Sequence, residues 1–392
     1  MLVNIDINRA YNENRTQQTQ DIQWGQLYSQ AAFAFASVLN RKSKIAIISH
    51  IKPDPDTLGA ALGLYHMLGD RAKIELINDG PIPKWLGFMP GIEKIKTPDK
   101  IPADWVPDCA IALDVSNDDR LGDGRSIFNS AKCRVWIDHH PYQKDWPAAN
   151  LCVIDSKAKS CSEMLVHIFN CYQKYIDAGI LIPSQTAVKL KLTKDAATSL
   201  MMGLYSDSGG LTRIGPDDYH TTDALSFLQR AGGDWPGIVR NSNTRDWQQQ
   251  RFIGYFMRDE KMNFENDGKL AWCALNQKEI EQFKLSGDEI NGWTASLLYD
   301  MEQITGVQVS AAFIEEPGRN GNRDVIRVRL RSNRSGVPVN DMSKFFAPEF
   351  CTGGGHKAGA GAEIYNGANG MGFGQGVAEF VKVFKENADW VR

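Results

Sequence analysis

The chain has no long apolar run: nothing approaches the roughly 18 residues a bilayer-crossing helix needs, so an integral membrane protein is not expected. Its first residues are polar, rich in Asn and Gln, with no apolar leader core, so export is not expected either. Cysteine is sparse and scattered: seven in 392 residues, with no C-x-x-C pair. That argues against a disulfide framework or a thiolate zinc site, and for reduced thiols in the cytoplasm. Cys161 and Cys171 fall inside a helical apolar pattern and are read as core residues. Excess positive charge is also missing. The net charge is −3, which does not suit a protein that coats long duplex nucleic acid. A short anionic substrate held by a few local cations remains compatible.

What is present is a soluble globular composition, 42% hydrophobic and 23% charged, in a chain long enough for two cores. Residues 1–40 are expected to be an N-terminal extension, helical in its later part from Trp24 to Leu39. Continuous apolar strands are predicted at Lys44–Ser49, Lys73–Asn78, Asp108–Asp114 and Cys133–Ile137, with a helix over Thr57–Leu68 between the first two. This order predicts an α/β domain over 41–235, built on a doubly wound, mainly parallel sheet. Residues 236–262 are expected to connect it to a smaller mixed α/β domain over 263–392, with a cleft between the two. In that second domain Val307–Glu315 and Asp324–Ser332 read as strands. The alternation of Ile326, Val328 and Leu330 with Arg327, Arg329 and Arg331 puts the three arginines on one face. The stretch Gly353-Gly354-Gly355-His356 is expected to be an anion-approaching loop leading into a small-residue helical stretch.

The residues that carry chemistry follow the ends of the predicted strands. His50, Asp54 and Asp56 follow the first, Asp114 the third, and Asp138-His139-His140 the fourth. Asp207 follows a later apolar helix. Ligands of open α/β sheets sit beyond the carboxyl ends of the strands, so this shared register is informative. Aspartate oxygens and imidazoles in this number suit two divalent metals, Mn²⁺ or Mg²⁺ among them, and paired metals hydrolyse phosphate esters. Asp54 and Asp56, in a proline-stiffened loop, are expected to point to different sides and feed different metals. Any one of these residues alone would read as a turn or surface residue. His66, His167 and His220 lie outside the cluster and are read as surface or satisfied helical histidines.

The strings HIKPDPDTLGAALGL, ALDVSNDDRLGD, WIDHHP and GLYSDSGGLTR, followed by RSNRSGVPVN and TGGGHKAGAGA, resemble the blocks of the DHH-family phosphoesterases and their associated substrate-binding domain. The resemblance spans about residues 44 to 365. It implies His50, Asp54 and Asp114 on one metal, and Asp56, Asp114, His139 and Asp207 on the other, with Asp114 bridging. It implies His140 as the residue near the substrate phosphate and candidate proton donor, with Asp138 orienting a neighbouring histidine. Manganese is the implied metal. Arg331, Ser332, Gly353, Gly354, Gly355 and His356 are implied to hold the end of a nucleotide. Ser208 and Val115 depart from residues common in the family, without touching an implied ligand.

The expected activity is hydrolysis of short oligonucleotides or linear dinucleotides to mononucleotides, with 3′-phosphoadenosine 5′-phosphate (pAp) as a further substrate. Cyclic dinucleotide hydrolysis and non-catalytic nucleotide binding are the alternatives. No membrane partner is expected, and a homodimer is left open.

Overall fold

The computed structural model describes residues 3–11, 16–39, 44–69, 73–140, 148–180, 190–285, 287–316, 325–332, 351–356, 359–365 and 372–387. The chain divides into two compact units, Met1–Thr244 and Arg245–Arg392.

The first unit is built on strands β1 (Val3–Asp6), β2 (Lys44–Ser49), β3 (Lys73–Asn78), β4 (Ile95–Lys96), β5 (Cys109–Leu113), β6 (Cys133–Asp138) and β7 (Leu151–Ile154). They form one sheet in the order β1-β7-β6-β5-β2-β3-β4, and every described pairing is parallel. The central strands bury both faces, which is why their sequences run apolar without alternation. Ile45, Ile47, Ile111, Leu113, Val135 and Ile137 pack into one layer with helices α1 (Gln17–Leu39), α2 (Pro55–Leu68), α4 (Cys161–Asp177) and α5 (Lys194–Asp207). Ala46, Ile48, Ala110, Ala112 and Trp136 face the other way, toward Leu121 and Phe128 of the layer that holds α3 (Gly124–Ser130). Helices α6 (Tyr219–Arg230) and α7 (Trp235–Asn243) complete the unit. The chain leaves β2 toward β3 on one side and returns to β5 on the other. The switch point of the sheet, where a crevice opens, therefore lies between β2 and β5.

Helix starts are set by side chains. Asp54 caps α2 with Pro55 in its first turn, Ser160 caps α4, and Thr193 caps α5. Helices α2 and α5 approach closely because Gly59 and Gly203 face each other. A Cβ on Gly59 would lie 2.6 Å from the Ser199 carbonyl and 2.9 Å from the Gly203 nitrogen.

The residues expected as an extension are woven into the unit. Strand β1 adds a seventh described strand beside β7, and Tyr28, Ala32, Phe35 and Leu39 of α1 are buried in the main core. Residues 236–262, expected as a connector, divide between α7 of the first unit and α8 (Trp247–Phe256) of the second.

The second unit holds β8 (Asn263–Glu265), β9 (Leu270–Leu275), β10 (Val309–Glu316), β11 (Val325–Ser332), β12 (Cys351–His356) and β13 (Gly359–Tyr365), in the sheet order β12-β13-β11-β10-β9-β8. Among the described strands of this sheet, only β9 and β10 pair in parallel. Helix α11 (Phe373–Asn387) packs Val377 and Phe380 against Val309, Phe313, Ile326 and Val328 on one face. Helix α10 (Gly287–Glu302) and α8 cover the other face, where Ala312 and Ile314 meet Leu297, Phe252 and Phe256. A short helix, α9 (Gln277–Phe283), starts with a capping box made by Asn276 and Glu279.

The glycine-rich segment corrects its sequence reading. Gly353–His356 is not a loop before a helix. It is the end of β12, paired antiparallel with Gly359–Ala362 of β13. Runs of Gly and Ala carry no apolar period, so the sequence could not distinguish helix from strand there, and the ladder to β11 decides it.

Candidate metal centre

The site is assembled at the carboxyl edge of the first sheet. His50 follows β2, Asp114 follows β5, and Asp138 ends β6 with His139 and His140 directly after it. Asp207 is the last residue of α5. Asp114 adopts φ 58°, a left-handed conformation that costs energy for any residue but Gly, so the fold holds this carboxylate in a strained pose.

Three overlapping groups could each hold a cation: His50, Asp54 and Asp114; Asp56, His139 and Asp207; and Asp114, His139 and His140. The His50 Nε2 lies 3.4 Å from Asp54 and 3.5 Å from Asp114. The His139 Nε2 lies 3.4 Å from the other oxygen of Asp114, 3.5 Å from Asp207 and 4.0 Å from Asp56. The two oxygens of Asp114 thus face the two histidines separately. Every residue that the sequence placed on the two metals lies in this cluster.

The surroundings decide which nitrogen each histidine presents. The Nδ1 of His50 lies 2.7 Å from its neighbour's carbonyl, Ile51 O, and that of His139 lies 3.3 Å from the Ala158 carbonyl. A carbonyl can only accept, so Nδ1 carries the proton in both and Nε2 offers a lone pair to the cluster. His140 differs. Its Nδ1 lies 2.7 Å from Asp138, which makes an aspartate–histidine pair beside Asp114.

The carboxylates are held from behind. Asp54 caps α2 with one oxygen, accepting from the Asp56 and Thr57 amides, and turns the other toward His50. Asp56 sits in the first helical turn. The two carboxylates diverge because the chain enters a helix between them, and not because the loop is extended, as the sequence had suggested. Asp56 is fully buried, and its two oxygens accept from the Cys161 and Ser162 amides at the start of α4, at 2.7 and 3.0 Å. His50 is anchored by Thr57, which accepts from its backbone amide, and by Asn78, which donates to its carbonyl. These supporting residues went unnoticed in the sequence. Asn78 ends an apolar strand, which was their one available signal.

The electrostatics ask for cations. Burial, and then the charge of Asp114, push the Asp56 carboxyl up. Burial and the charges of Asp56 and Asp54 push Asp207 well up. Asp114 is also buried, but the His139 and His50 rings, 3.4 and 3.5 Å away, outweigh that and hold it below the usual carboxylate range. Burial opposes the charging of His139, yet Asp114, Asp56 and Asp207 raise it well above its ordinary value. The buried His50 Nε2 and Asp114 Oδ1 have no hydrogen-bond partner. Unpaired lone pairs on hard oxygen and imidazole donors, among crowded carboxylates, fit divalent metal ions.

The nucleotide-end residues expected from the sequence lie in the second unit. Arg331, Gly359 and His356 share one register row across β11, β13 and β12, and Arg329, Gly361 and Gly354 share the row two residues on. Ser332 ends β11, and Gly353 and Gly355 lie in β12. Arg327 is engaged by Glu316 at 2.8 Å and Glu363 at 3.4 Å, and Arg329 bonds to Asn291 of α10. Neither is a bare solvated arginine.

Parallel strands wound by helices, with imidazoles and carboxylates massed past their ends, define an α/β domain of the metal-dependent hydrolase class. The family model described as DHH family, N-terminal domain, matches residues 44–204. Over most of its length the chain is similar to two curated proteins. One is the probable bifunctional oligoribonuclease and PAP phosphatase NrnA of Streptococcus mutans, 27% identical over 332 residues, which are 82% of this chain and 90% of that protein. The other is the bifunctional oligoribonuclease and PAP phosphatase NrnA of Bacillus subtilis, 24% identical over 82% of this chain and 90% of that protein. Among solved structures, an exopolyphosphatase-related protein from Bacteroides fragilis shares the fold with a TM-score of 0.74 at 24% identity, covering 92% of this chain and 98% of that one.

Proposed function

We propose that this protein is a phosphoester hydrolase that cleaves short oligonucleotides or linear dinucleotides to mononucleotides and also removes phosphate from pAp. The observation that carries the reading is the shared Asp114, whose two oxygens face two histidine–aspartate groups. Residues His50, Asp54 and Asp114 would hold one divalent ion, and Asp56, Asp114, His139 and Asp207 a second, with manganese preferred. Such ions, when bound, polarise phosphoryl oxygens and activate water at neutral pH.

The chain's own residues do the rest. Asp114 sets the spacing of the two halves. The Nδ1–H of His140 donates to Asp138, which fixes the ring, and in the doubly protonated ring the Nε2–H is the proton that would pass to the leaving oxygen. Arg331, Ser332, Gly353, Gly354, Gly355 and His356 would receive the far end of the nucleotide. Buried cysteines outside any disulfide, at Cys109, Cys152, Cys161 and Cys273, support a cytoplasmic setting. No described helix is long and apolar enough to cross a membrane.

The test is Asp114→Asn assayed with Mn²⁺ on a linear dinucleotide and on pAp. Loss of both activities, by several orders of magnitude, is expected. Intact metal-dependent turnover would refute the central role of Asp114, and a strong preference for cyclic over linear dinucleotides would refute the substrate assignment.

A further inference from the structure

The amino-terminal strand and helix reach the metal centre through a chain of hydrogen bonds that ends on one half of it. The connecting piece is residues 155–162, between β7 and the first turn of α4. Three of its hydrogen bonds touch the cluster directly. Ala158 offers its carbonyl to the Nδ1–H of His139, and the Cys161 and Ser162 amides hold both oxygens of Asp56. The same piece is gripped from the opposite side by the amino terminus. The Tyr28 hydroxyl of α1 donates to Asp155 at 2.8 Å, in a buried position, and the Tyr11 hydroxyl lies 3.5 Å from the same oxygen. The other oxygen of Asp155 accepts from the Lys157 and Ala158 amides, at 3.0 and 3.3 Å, and so shapes the turn that carries the Ala158 carbonyl. Beside it, Asn8 accepts from both the amide and the hydroxyl of Ser156.

The other half of the centre has separate supports. His50 is held by Ile51, Thr57 and Asn78, and Asp54 by the start of α2. None of these bonds involves the amino terminus or residues 155–162.

We propose that Tyr28, Asp155 and Asn8 are positioning residues for the Asp56–His139–Asp207 half of the metal centre, and that the amino-terminal segment is thereby a working part of the site. The inference rests on the metal-centre reading above. It requires an asymmetric response: disturbing the amino-terminal grip weakens one cation site and spares the other. Groups that orient metal-bound histidines from the outer shell are worth about 10- to 100-fold in metal affinity. Tyr28 acts two hydrogen bonds further out, through Asp155 and Ala158, so the lower end of that range, about tenfold, is expected.

The experiment is calorimetric titration of the full-length, metal-free protein with Mn²⁺, comparing wild type with Tyr28→Phe and Asn8→Ala. Phe35→Leu is the control, because Phe35 is buried in the same helix–core contact and belongs to no part of the hydrogen-bond chain. Wild type should bind two ions. Tyr28→Phe and Asn8→Ala should each show one site weakened about tenfold and the other unchanged, whereas Phe35→Leu lowers the melting temperature and alters neither site. If both sites weaken together in the two network variants, or neither changes, the proposal is overturned. Should Tyr28→Phe fail to fold, Asn8→Ala decides alone. A wild type that binds no Mn²⁺ would instead overturn the metal-centre reading itself, and the proposal with it.

Discussion

Replacing Gly203 with alanine adds one methyl group where the site cannot make room. The new Cβ would lie 2.1 Å from the Ser162 hydroxyl and 2.5 Å from an oxygen of Asp56. Ser162 and Asp56 are both buried, and Asp56 is held by two backbone amides, so neither yields cheaply. Either α5 backs away from α2, or Asp56 rotates and gives up a hydrogen bond. Overpacking of this kind costs about 1–3 kcal/mol, and a hydrogen bond to a charged group is worth about 1.5–3 kcal/mol. If the second cost falls on the reacting state, it corresponds to a drop of roughly 10- to 150-fold in kcat/KM. Helix propensity alone predicts the opposite sign, a gain of about 1 kcal/mol for Gly→Ala. Gly254 in α8 has nothing within 4 Å of its Cβ position, so Gly254→Ala isolates that gain. Urea denaturation of both variants, with turnover of a linear dinucleotide, measures both effects. A Gly203→Ala protein as stable and as active as wild type would show that Asp56 is not fixed in the way described.

Three further outcomes are expected. Asp138→Asn should leave Mn²⁺ binding in place but lower kcat by about 10²–10⁴-fold, because His140 loses the partner that sets its ring; unchanged kcat would remove His140 as the proton donor. In metal-free protein burial opposes the charging of His50, but Asp114 and Asp54 outweigh it and push it up to about 10. Its charged form therefore stabilises the fold fully below about pH 6.5, and this contribution is lost as pH rises toward 10. The melting temperature of metal-free protein should fall across that window more steeply than that of a His50→Gln variant; equal slopes would contradict the assignment. Burial pushes the Cys152 and Cys273 thiols up to about 12, so neither should react with a thiol reagent at pH 8 until the protein unfolds. Peptide mapping should find Cys133 or Cys171, which are partly exposed, modified before them.

The sequence was most legible where burial is continuous. Lys44–Ser49 and Lys73–Asn78 read as strands and fold as strands with the same bounds; the first is buried on both faces from Ile45 onward and apolar there until its last residue, and the second becomes buried only from Leu76. The cluster could be assembled from sequence because His50, Asp114 and the Asp138–His140 triplet each follow such a strand. The rest depended on contacts that leave no local mark. Val3–Asp6 is too short to show a period, and only its pairing with Leu151–Ile154 makes it a strand. The grip on Asp56 comes from backbone amides of residues more than 100 positions away, which any amino acid could supply. Tyr28 and Asp155 form a single bond across 127 residues, and each alone reads as an ordinary core aromatic or turn aspartate.

The most direct test of the central claim is product analysis with Mn²⁺ on pAp, a linear dinucleotide, a five-residue RNA, a cyclic dinucleotide, pyrophosphate and a long single strand, each with and without a chelator. The account predicts metal-dependent release of mononucleotides from the short linear substrates and of phosphate from pAp, with pyrophosphate and the long strand spared. Rapid hydrolysis of pyrophosphate or the long strand would contradict the assignment to short nucleotides, and turnover that survives the chelator would contradict the metal centre.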